Sequence, residues 1–435
     1  MIRTAIKFNL VYIALFLFSA SSVQAQDEEG KSGTVYSKFG TGMPVLNNTA
    51  QERGMGIIGV SFSDLGSPGL SNPAFWGSGF YTRAAINFDF TNYSIEDNAS
   101  KGGNSLLNIS NFQAVFPLSK NKLGLSIALY PETRSSYNVN SIQNYSVGSS
   151  TNQLITNRTG TGGVTKFEAG LGYKLTENIF VGYAPSYSFL TERENESITF
   201  VNRSLPSNTA TKRTNGTAFS HRFGLVFKKS SLFKTNDILQ FGSTITVESE
   251  FDANRTVETE KPVGSTDNQV IVQIGETKEA IVSLPVKFNG GFTYFPSSKF
   301  NASVEYQLEN WADAKYGFST TDENAFKNRE IFGIGFQYHA HRTRSTGFFS
   351  NFKYSAGVTY DTGHLSINNE DISTLWFTTG LGLISPDFRT GSSFDLSFQY
   401  GVRGSSTNSL VKENIFGINL SVNLTELMFL RRKLN

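Results

Sequence analysis

Apolar side chains recur at every second position through much of the chain, and that period constrains the fold more than any other feature. From Phe394 to Arg403, Phe394, Leu396, Phe398, Tyr400 and Val402 share one face, while Asp395, Ser397, Gln399, Gly401 and Arg403 share the other. Phe416, Ile418, Leu420, Val422 and Leu424 alternate in the same way with Gly417, Asn419, Ser421 and Asn423, and Phe300–Glu309 repeats the pattern. Successive side chains of a strand point to opposite faces, so each segment reads as a strand with one apolar and one polar face. The segments run about 9–11 residues, the length of a strand tilted across a bilayer; soluble strands average about 5–6. Their polar faces carry Gly, Asn, Ser and charges of both signs, as a wet, enclosed lumen requires.

These features predict an all-β chain forming a transmembrane antiparallel barrel of about 14 strands. The strands are expected near 80–95, 105–117, 122–137, 164–175, 178–194, 217–228, 237–254, 279–295, 299–310, 329–339, 351–361, 372–384, 392–403 and 413–424. The second of them shifts phase near Ile109. Ser119-Lys120-Asn121, Thr176-Glu177-Asn178 and Pro296-Ser297-Ser298 read as short turns. The stretches 138–163, 195–216, 255–278 and 311–328 read as long loops rich in Asn, Ser and Thr. Short periplasmic turns alternating with long outer loops are the pattern of outer-membrane barrels.

The N-terminus points to the same compartment. Arg3 and Lys7 precede an apolar run from Leu10 to Phe18, and Val23-Gln24-Ala25 is a small-x-small site. Residues 1–25 are therefore expected to be a signal peptide cleaved after Ala25; the apolar run is too short for a membrane helix. The expected layout continues with an N-terminal hatch at 26–79, the barrel at 80–424 and a basic periplasmic tail at 425–435.

Composition narrows the chemistry. The chain has no cysteine, which removes disulfides, thiol nucleophiles and thiolate metal sites and excludes a lipid-modified cysteine after the signal peptide. A net charge of +2 gives no electrostatic case for nucleic acid. The histidines are His221, His339, His341 and His364. His339 and His341 share a strand face beside Arg342 and Arg344, with no flanking carboxylate. No serine lies in a nucleophile elbow, and calcium loops and phosphate-binding glycine loops are absent. The expectation is a protein that is not an enzyme and needs no cofactor or metal.

Residues 26–79 are rich in Gly and Pro and too apolar for a linker, so a fold inside the lumen is expected. Arg53-Gly54-Met55-Gly56, then Asp64, then Asn72-Pro73-Ala74 resemble the N-terminal hatch of the FadL family (the OMPP1/TodX outer-membrane transporters of long-chain fatty acids and aromatic hydrocarbons). Further on, Ser283-Leu284-Pro285, Gly291-Phe292 with Tyr294, Lys299–Tyr306, Trp311, and Trp376 with Gly380-Leu381-Gly382 follow in that family's order. Gly162-Gly163 before Phe167–Tyr173 and the Arg53–Gly56 form are similar to its Bacteroidota branch. Phe416-Gly417 followed by Leu420 and Val422 resembles the signal read by the barrel-insertion machinery.

The resemblance implies a 14-strand barrel whose hatch fills the lumen, with Arg53, Gly54, Asp64, Asn72, Pro73 and Ala74 at hatch or gating positions. Hydrophobic ligands would enter from outside, pass the hatch and leave sideways into the membrane beside a kinked third strand. Pro131 lies in the third strand; proline donates no ladder hydrogen bond, so it marks either that opening or a bulge. Pro185 in the fifth strand is a second candidate bend. Inward charges are expected at Asp89, Glu168, Lys174, Lys287, Glu305, Glu309, Lys353, Asp395 and Arg403, either as a network packing the hatch or as a site for a ligand carboxylate. The expected partners are outer-membrane lipid, a hydrophobic small molecule and the insertion machinery, with the chain a monomer. The competing reading is a FadL-like accessory barrel of an envelope or secretion complex that transports nothing; a simple porin would lack the hatch. The lumen separates them, because a transporter needs an apolar pocket and a gap in the wall, whereas a scaffold can be filled.

Overall fold

The computed structural model describes residues 33–426 except 65, 99, 148–149, 202–207, 263–269, 276, 341–347, 385–390 and 407–409. The signal-peptide region with Ala25, His341, Arg342, Arg344 and the tail beyond Glu426 lie outside the described residues.

The wall is a closed antiparallel barrel of 14 strands. In chain order they are β1 (Thr82–Glu96), β2 (Lys101–Ser119), β3 in two pieces (Leu123–Pro131 and Thr133–Val147), β4 (Ser150–Lys174), β5 (Ile179–Phe200) and β6 (Asn208–Ser230). There follow β7 (Ile238–Thr246 and Ser249–Pro262), β8 (Lys278–Leu284 and Lys287–Ser297), β9 (Phe300–Glu309) and β10 (Arg329–His339). The last four are β11 (Phe352–Asp361), β12 (Thr374–Ile384), β13 (Ser393–Arg403) and β14 (Lys412–Glu426). β14 returns to β1 in register from Thr82↔Glu426 to Glu96↔Lys412, which closes the sheet. Closure leaves no continuous edge, the condition under which a sheet can sit in hydrocarbon.

Burial runs opposite to that of a soluble protein. On β13, Phe394 is 44% and Tyr400 47% exposed, whereas Asp395 and Ser397 are buried. The greasy face therefore points to lipid and the polar face inward, which turns the dyad pattern into a barrel and not a sandwich. The phase shift near Ile109 is a β-bulge. The β1–β2 ladder passes from Asn87↔Asn111 to Phe88↔Ile109 and skips Ser110, so Ser110 and Asn111 both turn inward.

Three of the stretches expected as long loops are strand instead. The described residues of 138–163 belong to β3 and β4, nearly all those of 195–216 to β5 and β6, and those of 255–278 mainly to β7, a short strand Val270–Ile274 and the start of β8. Beyond the lipid both faces meet water, so polar residues fill both faces and the period of two disappears while the ladder continues. Only 311–328 is loop-like, with a 3-10 turn at Trp311–Asp313 and a helical turn at Thr320–Glu323.

Candidate functional site: a parting in the barrel wall

Residues 33–79 lie within the barrel, and most of their side chains are buried. Three short turns shape the segment. Thr34 caps the 3-10 turn Val35–Lys38. Thr49 and Glu52 form a reciprocal capping box on α1 (Ala50–Gly54), and Asn72 caps the 3-10 turn Pro73–Gly77. Burial pushes the Glu52 carboxyl up to about 8.

The wall meets this segment through glycines. A Cβ on Gly335 would lie 1.7 Å from the Met55 carbonyl oxygen, and one on Gly357 1.9 Å from it. On the opposite side Gly124, Gly172, Gly182 and Gly224 stand in register across β3, β4, β5 and β6. They face Asn72, Pro73 and Trp76, and a Cβ on any of them would collide. Only residues without side chains allow the two backbones so close.

Polar contacts fix the segment to the wall. Arg53 pairs with Asp89 at 3.2 Å and donates to Asn419, Asn48 and the Leu46 carbonyl. Gly54 lies against Gly380, and its carbonyl accepts from Thr378. Asp64 pairs with Lys353 at 3.1 Å, and Lys353 also pairs with Asp395 at 2.9 Å. Asn72 Nδ2 donates to the carbonyls of Val60 within the segment and Leu225 of β6, while its Oδ1 accepts from Ala74 N. Pro73 abuts Gly182, and Ala74 packs with Phe75, Phe180 and Val226. Glu305 accepts from the backbone N–H groups of Gly59, Val60 and Ser61. Glu168 pairs with Arg222, which also donates to the Ser71 carbonyl.

The remaining sequence-predicted charges lie elsewhere. Lys287 joins Glu132 and Glu309, Arg403 joins Glu413, and Lys174 pairs with Glu177 at the short-turn end. Sequence reasoning missed Glu132, Lys166, Arg222, Arg329 and Glu413. Each occupies a polar-face position, which was the available signal. His221 bonds Tyr183, His339 ends β10, and His364 lies buried beside Trp311; the structure does not bring them together. Among the described residues no group of three His, Cys, Asp or Glu is placed to hold a metal.

One stretch of the wall is not sealed. The β2–β3 ladder ends at Phe112↔Leu129. Past Pro131 the chain breaks at Glu132, and the outer piece of β3 pairs with β4 on one side. On its other side it pairs not with β2 but with Met43–Pro44 of the inner segment. Val45 N to Glu132 O and Gly33 N to Ser136 O extend that contact. Among the described residues, Lys101–Asn111 of β2 and Thr133–Val147 of β3 share no ladder pair. β4 bends at the same height, where Gly162 and Gly163 adopt φ of +119° and +124°. A side chain rarely takes that conformation, so Pro131 and the glycine pair together turn the hairpin away from β2. At Pro185 the β4–β5 ladder skips between Glu168↔Ser186 and Leu171↔Tyr183, but the β5–β6 ladder runs through and no parting results.

Cavities follow the parting. One of about 180 Å³ reaches Leu106 and Asn108 of β2, Arg134 and Ser136 of β3, and Met43 and Leu46 of the inner segment. A larger one of about 580 Å³ lies farther out between Gly102–Asn104 of β2 and Asn138–Asn140 of β3, over Tyr36 and Phe39. Four arginines line the inner cavity. Arg53 pairs with Asp89, Arg329 with Asp361 and Glu309, and Arg403 with Glu413. Arg134 has no ion-pair or side-chain hydrogen-bond partner among the described residues, and Asp89 and Tyr93 act on it through space. Nothing in the alternation singled it out, because it stands just past the break in β3.

Solved structures share this architecture. A Pseudomonas aeruginosa FadL homologue superposes with a TM-score of 0.60 at 10% identity, over 89% of this chain and 100% of that one. The Pseudomonas putida toluene transporter TodX gives 0.59 at 13% identity over 89% and 100%. The Ralstonia pickettii toluene transporter TbuX gives 0.58 at 13% identity over 87% and 98%. At such identities the likeness shows the fold. No curated protein sequence matches. The sequence profile of the BamG family matches residues 1–435, and the chain is therefore a member of the BamG family.

Proposed function

We propose that this protein passes hydrophobic small molecules across the outer membrane by a sideways route through the parting between β2 and β3. The carrying observation is the parting itself, two strands that abandon each other within the wall with a cavity behind them. Unpaired strand edges are costly in hydrocarbon, so a barrel that only had to be stable would seal them. The lumen axis is filled by the inner segment, its glycine contacts and its ion pairs, which leaves the side as the open direction. A greasy solute leaving there enters the bilayer directly, gaining about 0.8 kcal/mol for each methylene taken from water. The toluene transporters named above share the fold, which supports aromatic hydrocarbons as one ligand class beside long-chain fatty acids. Arg134 favours fatty acids, since an unpartnered guanidinium suits a carboxylate.

Uptake of labelled long-chain fatty acid and of labelled alkylbenzene by a deletion strain, complemented with wild type or Arg134→Ala, tests this. The proposal expects both uptakes to fall on deletion and to return with wild type, and Arg134→Ala to restore only alkylbenzene. Unchanged uptake in the deletion strain rejects transport.

A second reading is an accessory barrel of an envelope complex. The strongly polar, ion-paired lumen favours it, because the inner cavity mixes charges with apolar groups and is no greasy chamber. It expects normal uptake in the deletion strain and recovery of the protein in a stoichiometric complex.

A further inference from the structure

The short-turn end of the barrel carries an arc of lysines that the lumen and the parting do not use. Lys120 and Lys122 lie at the β2–β3 turn and Lys229 and Lys234 at the β6–β7 turn, all exposed, whereas Lys174 and Lys228 between them turn inward, Lys174 to Glu177 and Lys228 over the rings of Phe75 and Phe180. These turns join neighbouring hairpins of one side of the wall and are stitched together. Lys174 N donates to Lys122 O at 2.8 Å, and Lys228 N donates to Asn178 O at 2.8 Å. The arc is therefore fixed and not a set of independent surface charges.

The acids nearby are already engaged. Glu177 pairs with Lys174. Asp237 is buried, accepting from the backbone N–H groups of Leu232, Phe233 and Lys234 and from the Tyr294 hydroxyl. Among the described residues, Lys120, Lys122, Lys229 and Lys234 have no ion-pair partner and are exposed. The mature chain beyond Ala25 is neutral by count, since removing Arg3 and Lys7 leaves 36 basic residues (38 − 2) against 36 acidic ones. Positive charge concentrated here is thus an asymmetry of placement, not of composition.

The height of the arc identifies its partner. Lys122 lies over the outward-facing Tyr173 ring at 6.0 Å, Lys229 shares the outward face of Phe227 two residues before it, and Lys234 follows Phe233, which is 72% exposed and meets Tyr294 edge to face. Aromatic and leucine side chains at the end of the lipid-facing band mark the membrane interface, and lysines beside them reach the phosphate layer. We propose that this arc binds the phosphate groups of anionic phospholipid in the leaflet at the short-turn end, and so fixes the depth and tilt of the barrel. A periplasmic protein partner would sit below this level, away from the exposed rings.

The test uses the full mature protein in detergent, incubated with mixed micelles of equal parts phosphatidylcholine and phosphatidylglycerol, and reads retained lipid by native mass spectrometry. Phosphatidylglycerol should be retained over phosphatidylcholine by about tenfold or more, as expected for several lysines near one anionic surface, with the preference falling as salt rises. The quadruple variant Lys120→Glu, Lys122→Glu, Lys229→Glu, Lys234→Glu should lose the preference while keeping heat-modifiable mobility; Lys315→Glu, Lys327→Glu at the other end should keep it. Inorganic phosphate at matched concentration should not displace the lipid. Equal retention of the two lipids by wild type overturns the proposal whether or not the variant folds. So does a preference that survives in a folded quadruple variant, or full displacement by free phosphate.

Discussion

The Met55 carbonyl oxygen occupies the space that a Cβ would need on both Gly335 and Gly357. Both the inner segment and the wall present backbone there, and neither can yield cheaply. Gly335→Val should cost about 3 kcal/mol or more, at or beyond the usual range for overpacking a tight core, and should free residues 33–79 to protease. Limited proteolysis with a mass readout checks this; a variant as resistant as wild type contradicts the packing. Arg53 gives a second case. Arg53→Ala strands Asp89, which is buried, and should destabilise the barrel by about 3–5 kcal/mol. Adding Asp89→Asn should recover part of that loss, and urea-unfolding midpoints of both variants measure it. Arg53 and Asp64 stood out in the sequence because the resemblance marked them. Arg134 did not, since a residue just past a proline break belongs to no clear face.

His364 adds a pH dependence beyond the outer ends of the strands. Its ring is buried against Trp311 and Phe326, and desolvation lowers its pKa from 6.5 to about 3. A histidine depressed in the folded state takes its proton more readily when unfolded. Stability is therefore full above about pH 6.5 and declines below it, by about 1.4 kcal/mol per pH unit, until the folded value is reached near pH 3. His364→Phe should flatten that decline. Thermal melts between pH 7 and pH 4 for both proteins check it, and identical acid sensitivity contradicts it.

At the scale of elements, the strands were legible wherever lipid forces one face to be apolar, as in β13, β14 and β9. They were illegible where β3–β7 rise above the lipid, because Thr, Asn and charged residues then serve both faces and only the ladder remains. The bulge at Ser110 showed in advance as a phase slip. The parting was half legible. Pro131 announced a break, but the companion bend at Gly162-Gly163 and the capture of the β3 edge by Met43–Pro44 depend on pairings far apart in sequence. Pro131→Ala restores a backbone donor and the freedom to continue the strand. It should narrow the parting and lower uptake several-fold while leaving Gly162 and Gly163 in place. Uptake equal to wild type would make Pro131 a simple bulge.

For the whole molecule, the account rests on a wall that opens sideways while its axis stays filled. Pro44 and Thr133 are register partners where the inner segment covers the free edge of β3, and the native chain has no cysteine to interfere. Paired positions on adjacent strands lie within disulfide reach. Labelled fatty-acid uptake by Pro44→Cys/Thr133→Cys, measured oxidised and then after reduction, tests the sideways route most directly. The account predicts that the oxidised protein is blocked and that reduction restores flux; equal flux in both states would contradict it.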